Sequence, residues 1–306
     1  MELQQLRYVV AVAETGGFTR AAERCLVVQS ALSHQIGKLE KELGARLFER
    51  TSRRVRLTAA GEAFLPAARQ ALEATERARA EVAAATGEIR GRLTLGAIAS
   101  VTAVDVPGLM RAYHDTYPQV TMGLMDGASE TLVAGVREGT LDLAFLGVQP
   151  SFRTDGPGVE SRTLVVDPHV AVAAPDHPLA DTGGGSPVPL SRLVDETFVD
   201  FPAGLAARAQ TDEAFAAAGL RREVAFEAKG LDFLADLVRG GLGVALLPSR
   251  LVPRLPGLAV VPVRDGPVRE ERLVWSRTRR SPAAAAFLET VPLGIGGDGS
   301  RLHGEE

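Results

Sequence analysis

The sequence changes texture at Gly91, and that break constrains the fold more than any other feature. Residues 1–89 contain a single proline, Pro66, and read almost wholly as helix, whereas strands and helices alternate from Arg92 onward. An all-helical stretch followed by an alternating one implies separate domains rather than one continuous core. A chain of 306 residues fits that division, since single domains run to about 150 residues.

Charge divides at the same place. Residues 1–92 carry 15 Lys and Arg against 11 Asp and Glu, and the rest carries 19 against 27, so a net −4 splits into +4 and −8. The acidic total would argue against a nucleic-acid partner if it were evenly spread. Divided this way, it describes a basic module joined to an acidic body. The one cysteine, Cys25, reads as a core residue and excludes an internal disulfide or a cysteine-based metal cluster. No run approaches the ~18 apolar residues of a membrane span, and Met1–Arg7 lacks a basic-then-apolar leader pattern, so the expectation is a cytoplasmic protein off the membrane.

Within the basic module, Leu3, Leu6, Val9, Val10 and Ala13 recur at helical spacing, and Gly16-Gly17 ends that helix. Thr19 is the expected cap of a second helix, Arg20–Cys25. A third spans Ser30–Leu43, with Leu32, Ile36, Leu39 and Leu43 on one narrow face and Gly44 as its left-handed stop. Phe48–Leu57 alternates weakly and reads as a short β-wing carrying Arg50, Arg53, Arg54 and Arg56.

Two helices, a tight turn and a basic hairpin are what winged helix-turn-helix DNA binding requires. Ser30, Ser33 and His34, preceded by Gln29, occupy the end of the third helix whose side chains reach bases. Gln29 suits an adenine edge, while Lys38 and the wing arginines suit phosphate or minor-groove contact. A merely solvated basic face also fits the periodicity. His34 has no second ligand at metal-binding spacing, so no metal is expected.

Thr58 opens a long polar helix, Ala59–Ile89, in which Leu65, Ala68, Leu72, Val82 and Ile89 approximate a heptad. It fits a solvated spacer or a dimerisation helix, and the need for a rigid connector favours pairing. Beyond it, strands are expected at Arg92–Ile98, Val120–Met125, Asp142–Leu146, His169–Ala174, Glu223–Glu227, Val244–Leu247 and Glu271–Trp275. Helices between them at Val104–Tyr117, Glu130–Glu138, Leu205–Ala218, Asp232–Arg239 and Pro282–Thr290 imply parallel sheets with crossovers. Residues 181–189 are expected to form a surface loop, and 294–306 a disordered tail.

Specific runs carry a resemblance. Phe18-Thr-Arg-Ala-Ala-Glu-Arg, Gln29-Ser-Ala-Leu-Ser-His-Gln-Ile, Lys38-Leu-Glu-Lys-Glu-Leu-Gly-Ala-Arg-Leu-Phe-Glu-Arg and Leu57-Thr-Ala-Ala-Gly-Glu closely resemble the N-terminal domain of LysR-type transcriptional regulators. Leu93-Thr-Leu-Gly, Leu141-Asp-Leu-Ala, His177-Pro-Leu-Ala, Gly240-Gly-Leu-Gly-Val-Ala-Leu-Leu-Pro and Leu273-Val-Trp extend it at lower stringency. Val28 departs from the small hydroxyl residue common in the family at the start of the third helix. That loses a cap of roughly 1 kcal/mol. Gly37 replaces a frequent Arg or Lys.

The resemblance implies an α + α/β chain: a winged helix-turn-helix domain (1–58), a linker helix (59–90) and a two-lobed, periplasmic-binding-protein-like effector domain (91–293). Lobe I would comprise 91–162 and 267–293, and lobe II 163–266. Ligands in such sheets bind beyond the carboxyl ends of strands and near helix N-termini. The candidates this picks are Ser100, Thr102, Ser129, Phe145 and Leu146 from lobe I. From lobe II they are Phe201, Pro202, Leu205, Ala228 and Ala245. A single Ser or Thr there is as well explained by helix capping, but their convergence on one cleft favours a ligand. The mix points to a small organic effector with an apolar portion and a carboxylate.

Partners implied are double-stranded promoter DNA, that effector, further copies of the chain in a homodimer or homotetramer, and RNA polymerase as an additional contact. No cofactor is expected. An enzyme of this two-lobed architecture such as hydroxymethylbilane synthase needs a cysteine in its body, and a transport component needs an export signal; the sequence shows neither.

Overall fold

The structure, a computed structural model, describes residues 1–50, 55–154, 158–181 and 186–292. The chain forms two compact units, Met1–Gly91 and the residues from Arg92 on.

The first unit packs α1 (Leu3–Thr15), α2 (Phe18–Arg24) and α3 (Gln29–Leu43) around Val9, Val12, Ala21, Leu32, Ile36 and Leu39, all fully buried. The α1 start is tied by the Gln5 side chain accepting from the Glu2 backbone N–H at 2.8 Å. Gly16 and Gly44 end α1 and α3 in the left-handed conformation that side chains resist, as the sequence indicates. Two local expectations fail. Thr19 does not cap α2, because the helix begins two residues earlier, at Phe18, and Gly17 takes the cap position. Leu43 is exposed, lying on the last turn of α3 beyond the reach of its neighbours.

Strands β1 (Phe48–Arg50) and β2 (Val55–Leu57) pair antiparallel. Phe48 closes against Phe18 edge-to-face at 5.8 Å, and Glu40 anchors the approach by accepting from the N–H groups of Leu47 and Phe48. The Thr58 hydroxyl accepts from Gly61 N–H at 3.0 Å and donates to the Arg46 carbonyl at 2.6 Å, which starts α4 (Ala59–Ala85). Gly61 is required by contact: a Cβ there would sit 2.1 Å from the Leu47 carbonyl oxygen. The 27-residue α4 ends short of the expected Ile89, and Gly87, at φ 85°, turns the chain out of helix.

The second unit has the expected parallel pairs, Leu95–Ala97 with Leu143–Phe145 and Thr197–Asp200 with Glu223–Glu227, but antiparallel strands that were not expected make its main sheet a mixed one. Its strands are β3 (Gly91–Ala97), β4 (Val120–Asp126), β5 (Leu143–Val148), β6 (Val159–Ala173), β7 (Val188–Pro189), β8 (Thr197–Asp200), β9 (Glu223–Glu227), β10 (Ala245–Pro248), β11 (Ala259–Arg264) and β12 (Val268–Ser276). The main order is β4-β3-β5-β12-β6-β11-β7, with β10 also on β6. β3 and β5 are parallel, but β12 runs antiparallel to both β5 and β6.

β6 is far longer than the expected His169–Ala174. Its first part, Val159–Pro168, pairs with β12, and its last, His169–Ala173, with β10 and β11. One continuous strand thus passes from one half of the body to the other, and β12 brings the chain back. Helices α5 (Val106–Thr116), α6 (Ser129–Glu138) and α9 (Pro282–Thr290) belong to the first half, and α7 (Ala206–Ala217) and α8 (Leu231–Arg239) to the second. The two halves have separate apolar cores, one around Leu132, Val136, Leu146 and Val274, the other around Phe198, Phe215, Leu193 and Val244. Among the described residues no helix is long and apolar enough to cross a membrane.

Candidate functional site

Two surfaces have the geometry of binding sites. On the first unit, the buried face of α3 leaves Gln29, Ser30, His34 and Lys38 exposed along the opposite face, with Ser33 half-buried beside them. Lys38 is spanned only loosely by Glu2, at 4.0 Å, so its charge stays available. Arg56 is exposed on β2, opposite Glu49. Arg53 and Arg54 lie outside the described residues, as does the side chain of Arg50. Val28 caps α3 without a side-chain hydrogen bond, as its departure from the family pattern implies. Cys25 is half-buried and packs against the core.

In the second unit, a cavity of about 430 Å³ opens between the two halves. Its walls include Ser100, Ser129, Phe201 and Leu205, four of the residues picked from sequence. The uncapped N-terminal ends of α6 (after Ala128) and α7 (after Leu205) both border it, so two positive helix ends face one space.

The remaining picks are placed elsewhere. Phe145 and Leu146 are fully buried in the sheet core, because β5 continues to Val148 and the residue that reaches the cavity is Gly147. Ala245 is buried at the beginning of β10, which presents Leu246 and Pro248 instead. Ala228 packs into the second-half core while its neighbour Lys229 borders the cavity. Pro202 is not in the wall. Thr102 faces an adjoining recess, where its N–H and hydroxyl both donate to Glu271. Ser129 keeps its place, but not the expected free hydroxyl. Its buried Oγ is exchanged with both the N–H and the carbonyl of Gly147, which ties α6 to β5.

Sequence reasoning missed the polar floor. Arg269, only 4% exposed, comes from β12 at the crossover and donates to the Ser100 hydroxyl (3.0 Å), Asp167 (3.3 Å) and Glu271 (2.6 Å). Burial lowers its affinity for a proton, and the two carboxylates counter this only in part. Asp167 also accepts from the Ser249 hydroxyl and Arg250 N–H, and Glu271 from Ala103 N–H. His169, buried on β6, has a pKa pushed down to about 3 by burial and by Arg269. It is therefore neutral, and its Nδ1 donates to the Pro267 carbonyl at 3.1 Å. Because Arg269 fills an acceptor position on Ser100, the Ser100 hydroxyl hydrogen is left to donate elsewhere. Gln210, Lys229 and the acidic side chain of Asp126 complete the polar lining. No local spacing marks the cluster, since Ser100 and Asp167 lie 169 and 102 residues along the chain from the Arg269 they meet.

The loop carrying Phe201 and Leu205 is held by a second charge cluster. Arg222 bonds Asp200 at 2.6 Å and Asp212 at 2.7 Å, and lies 5.0 Å over the Phe198 ring. Arg208 donates to the Phe201 carbonyl at 3.0 Å. Asp200 is pulled toward protonation by burial and back by Arg222, which fixes the chain entering α7.

A helix-turn-helix domain joined to an α/β body that encloses a cavity defines a DNA-binding regulator with a ligand-binding domain. The model of the bacterial regulatory helix-turn-helix proteins of the lysR family matches residues 3–62, and that of the LysR substrate binding domain matches 86–292. The chain belongs to the LysR family of transcriptional regulators. It is 34% identical over 295 residues to the HTH-type transcriptional regulator IlvR of Caulobacter vibrioides, covering 95% of this chain and 97% of that one. Full-length OxyR from Pseudomonas aeruginosa superposes with a TM-score of 0.74 at 28% identity, over 96% of each chain. CbnR complexed with its target DNA gives a TM-score of 0.66 at 26% identity, over 95% of this chain and 99% of that one. Relatives of this kind are transcriptional regulators and not enzymes, and so is this chain.

Proposed function

We propose that this regulator recognises its promoter through the exposed face of α3 and is switched by a small organic effector held in the cavity of its body. The observation that carries the reading is the composition of that cavity. Phe201, Leu205, Leu231 and Leu251 offer apolar contact, while Ser100, Gln210, Lys229 and two uncapped helix ends offer donors and positive potential. That pairing suits a carboxylate with an apolar portion. Its volume of about 430 Å³ admits a molecule of metabolite size.

The mechanism follows from where the cavity sits. Both halves contribute walls, and the chain crosses between them through β6 and β12. A ligand that contacts both halves favours one relative arrangement, and only such a differential contact shifts the equilibrium. In an assembly paired through α4, a change in the bodies alters the spacing of the α3 readers on DNA, and with it promoter occupancy by RNA polymerase.

A thermal-shift screen of the full chain against small carboxylates, neutral metabolites, sugars and inorganic anions tests the effector class. Stabilisation by carboxylates with an apolar part is expected. Stabilisation by sugars or inorganic anions alone contradicts it.

A further inference from the structure

The turn between α2 and α3 exposes apolar surface that folding does not explain. Leu26 is 92% exposed and Val28 68%, while Val27 between them packs on the core. Leu26 also holds φ at +55°, a left-handed conformation that a branched side chain rarely adopts. The backbone is pinned there by Leu26 N–H to the Glu23 carbonyl (3.1 Å) and Val27 N–H to the Ala22 carbonyl (3.0 Å). Val28 then occupies the cap of α3, where a hydroxyl would satisfy an amide that stays uncapped. An exposed leucine in a strained conformation and an apolar cap are both unfavourable locally, and strain of this kind collects at functional positions.

The patch is continuous with the exposed Gln29 and Ser30 at the same end of α3, the end whose side chains enter the major groove in helix-turn-helix proteins. The one apolar group that base edges present there is the thymine C5 methyl. Resting on the DNA-reading role of α3, we propose that Leu26 and Val28 form a thymine-methyl contact that adds sequence discrimination beside Gln29.

The test uses the full-length chain. A duplex is enriched from a random pool, and each thymine is then replaced singly by deoxyuridine, which removes only the methyl. The expected result is a rise in Kd of roughly fourfold at one or two positions, the value of one buried methyl. Leu26→Gly and Val28→Ser are both compatible with the turn, and each is expected to bind the thymine duplex while losing sensitivity at one of those positions. Equal affinity for thymine and deoxyuridine duplexes overturns the proposal, and so does thymine dependence that survives both substitutions. A change of oligomeric state with discrimination intact overturns it too, since the patch would then cover another copy. Failure to enrich any duplex would overturn the DNA-reading role itself, a result distinct from these.

Discussion

Replacing Arg269 by Met removes the only guanidinium, among the described residues, that Asp167 and Glu271 share; their side chains are 0% and 1% exposed. Leaving a buried charge without its partner costs about 3–5 kcal/mol. The remaining donors temper this: Glu271 keeps the Thr102 and Ala103 groups, and Asp167 keeps Ser249 and Arg250. The expected loss therefore lies near the lower limit, about 3 kcal/mol, or a fall in Tm of roughly 6–12 °C for a body of this size. Trp275 is the only tryptophan in the chain and lies on β12, donating to Glu160 at 2.8 Å, so its fluorescence reports unfolding of the body alone. Urea unfolding followed by that signal gives the value directly. Adding Glu271→Gln to Arg269→Met removes one orphaned charge and should recover about 1 kcal/mol or more. A loss under about 1 kcal/mol in the single variant, with no recovery in the double, would refute the view that this ion cluster braces the crossover.

Other outcomes follow from the same physics. His169 is neutral in the folded state, with a pKa near 3, so the unfolded chain takes the proton first as pH falls below the ordinary 6.5. Stability is then lost between those values, by about 2 kcal/mol at pH 5, and His169→Gln should remove that part of the slope in unfolding measured from pH 7 to 5. Gly61→Ala forces a Cβ against the Leu47 carbonyl and should cost about 1–3 kcal/mol or more, read from helical circular dichroism on heating. Arg56→Ala should weaken specific and random DNA alike and reduce the salt slope by about 0.9, and an effect confined to the specific duplex would contradict a backbone contact. Gln29→Ala should instead lower discrimination at defined bases, which a panel of single-base duplex variants measures.

The helical unit was legible because its signals are local. Gly16 and Gly44 end helices by backbone conformation alone, and Thr58 caps α4 with its own hydroxyl. The body was legible in its elements but less so in its pairing. β6 reads only from His169 because Asp167 and Pro168 interrupt its apolar run, yet Asp167 is buried by its bond to Arg269, 102 residues further along the chain and invisible to periodicity. The cavity was found through the ends of strands, and errors of one to two residues there were decisive. Taking Leu146 instead of Val148 as the end of β5 pointed at buried Phe145 when Gly147 lines the space. Arg269 and His169 escaped because their importance lies wholly in which strand lies beside them.

Footprinting of the full chain on the promoter it binds, with and without a carboxylate that raises its Tm, tests the central claim most directly. The account predicts that such a ligand changes the length or spacing of the protected region, and that lining variants such as Ser100→Ala reduce the change while leaving basal protection intact. A footprint identical with and without every stabilising ligand would contradict it.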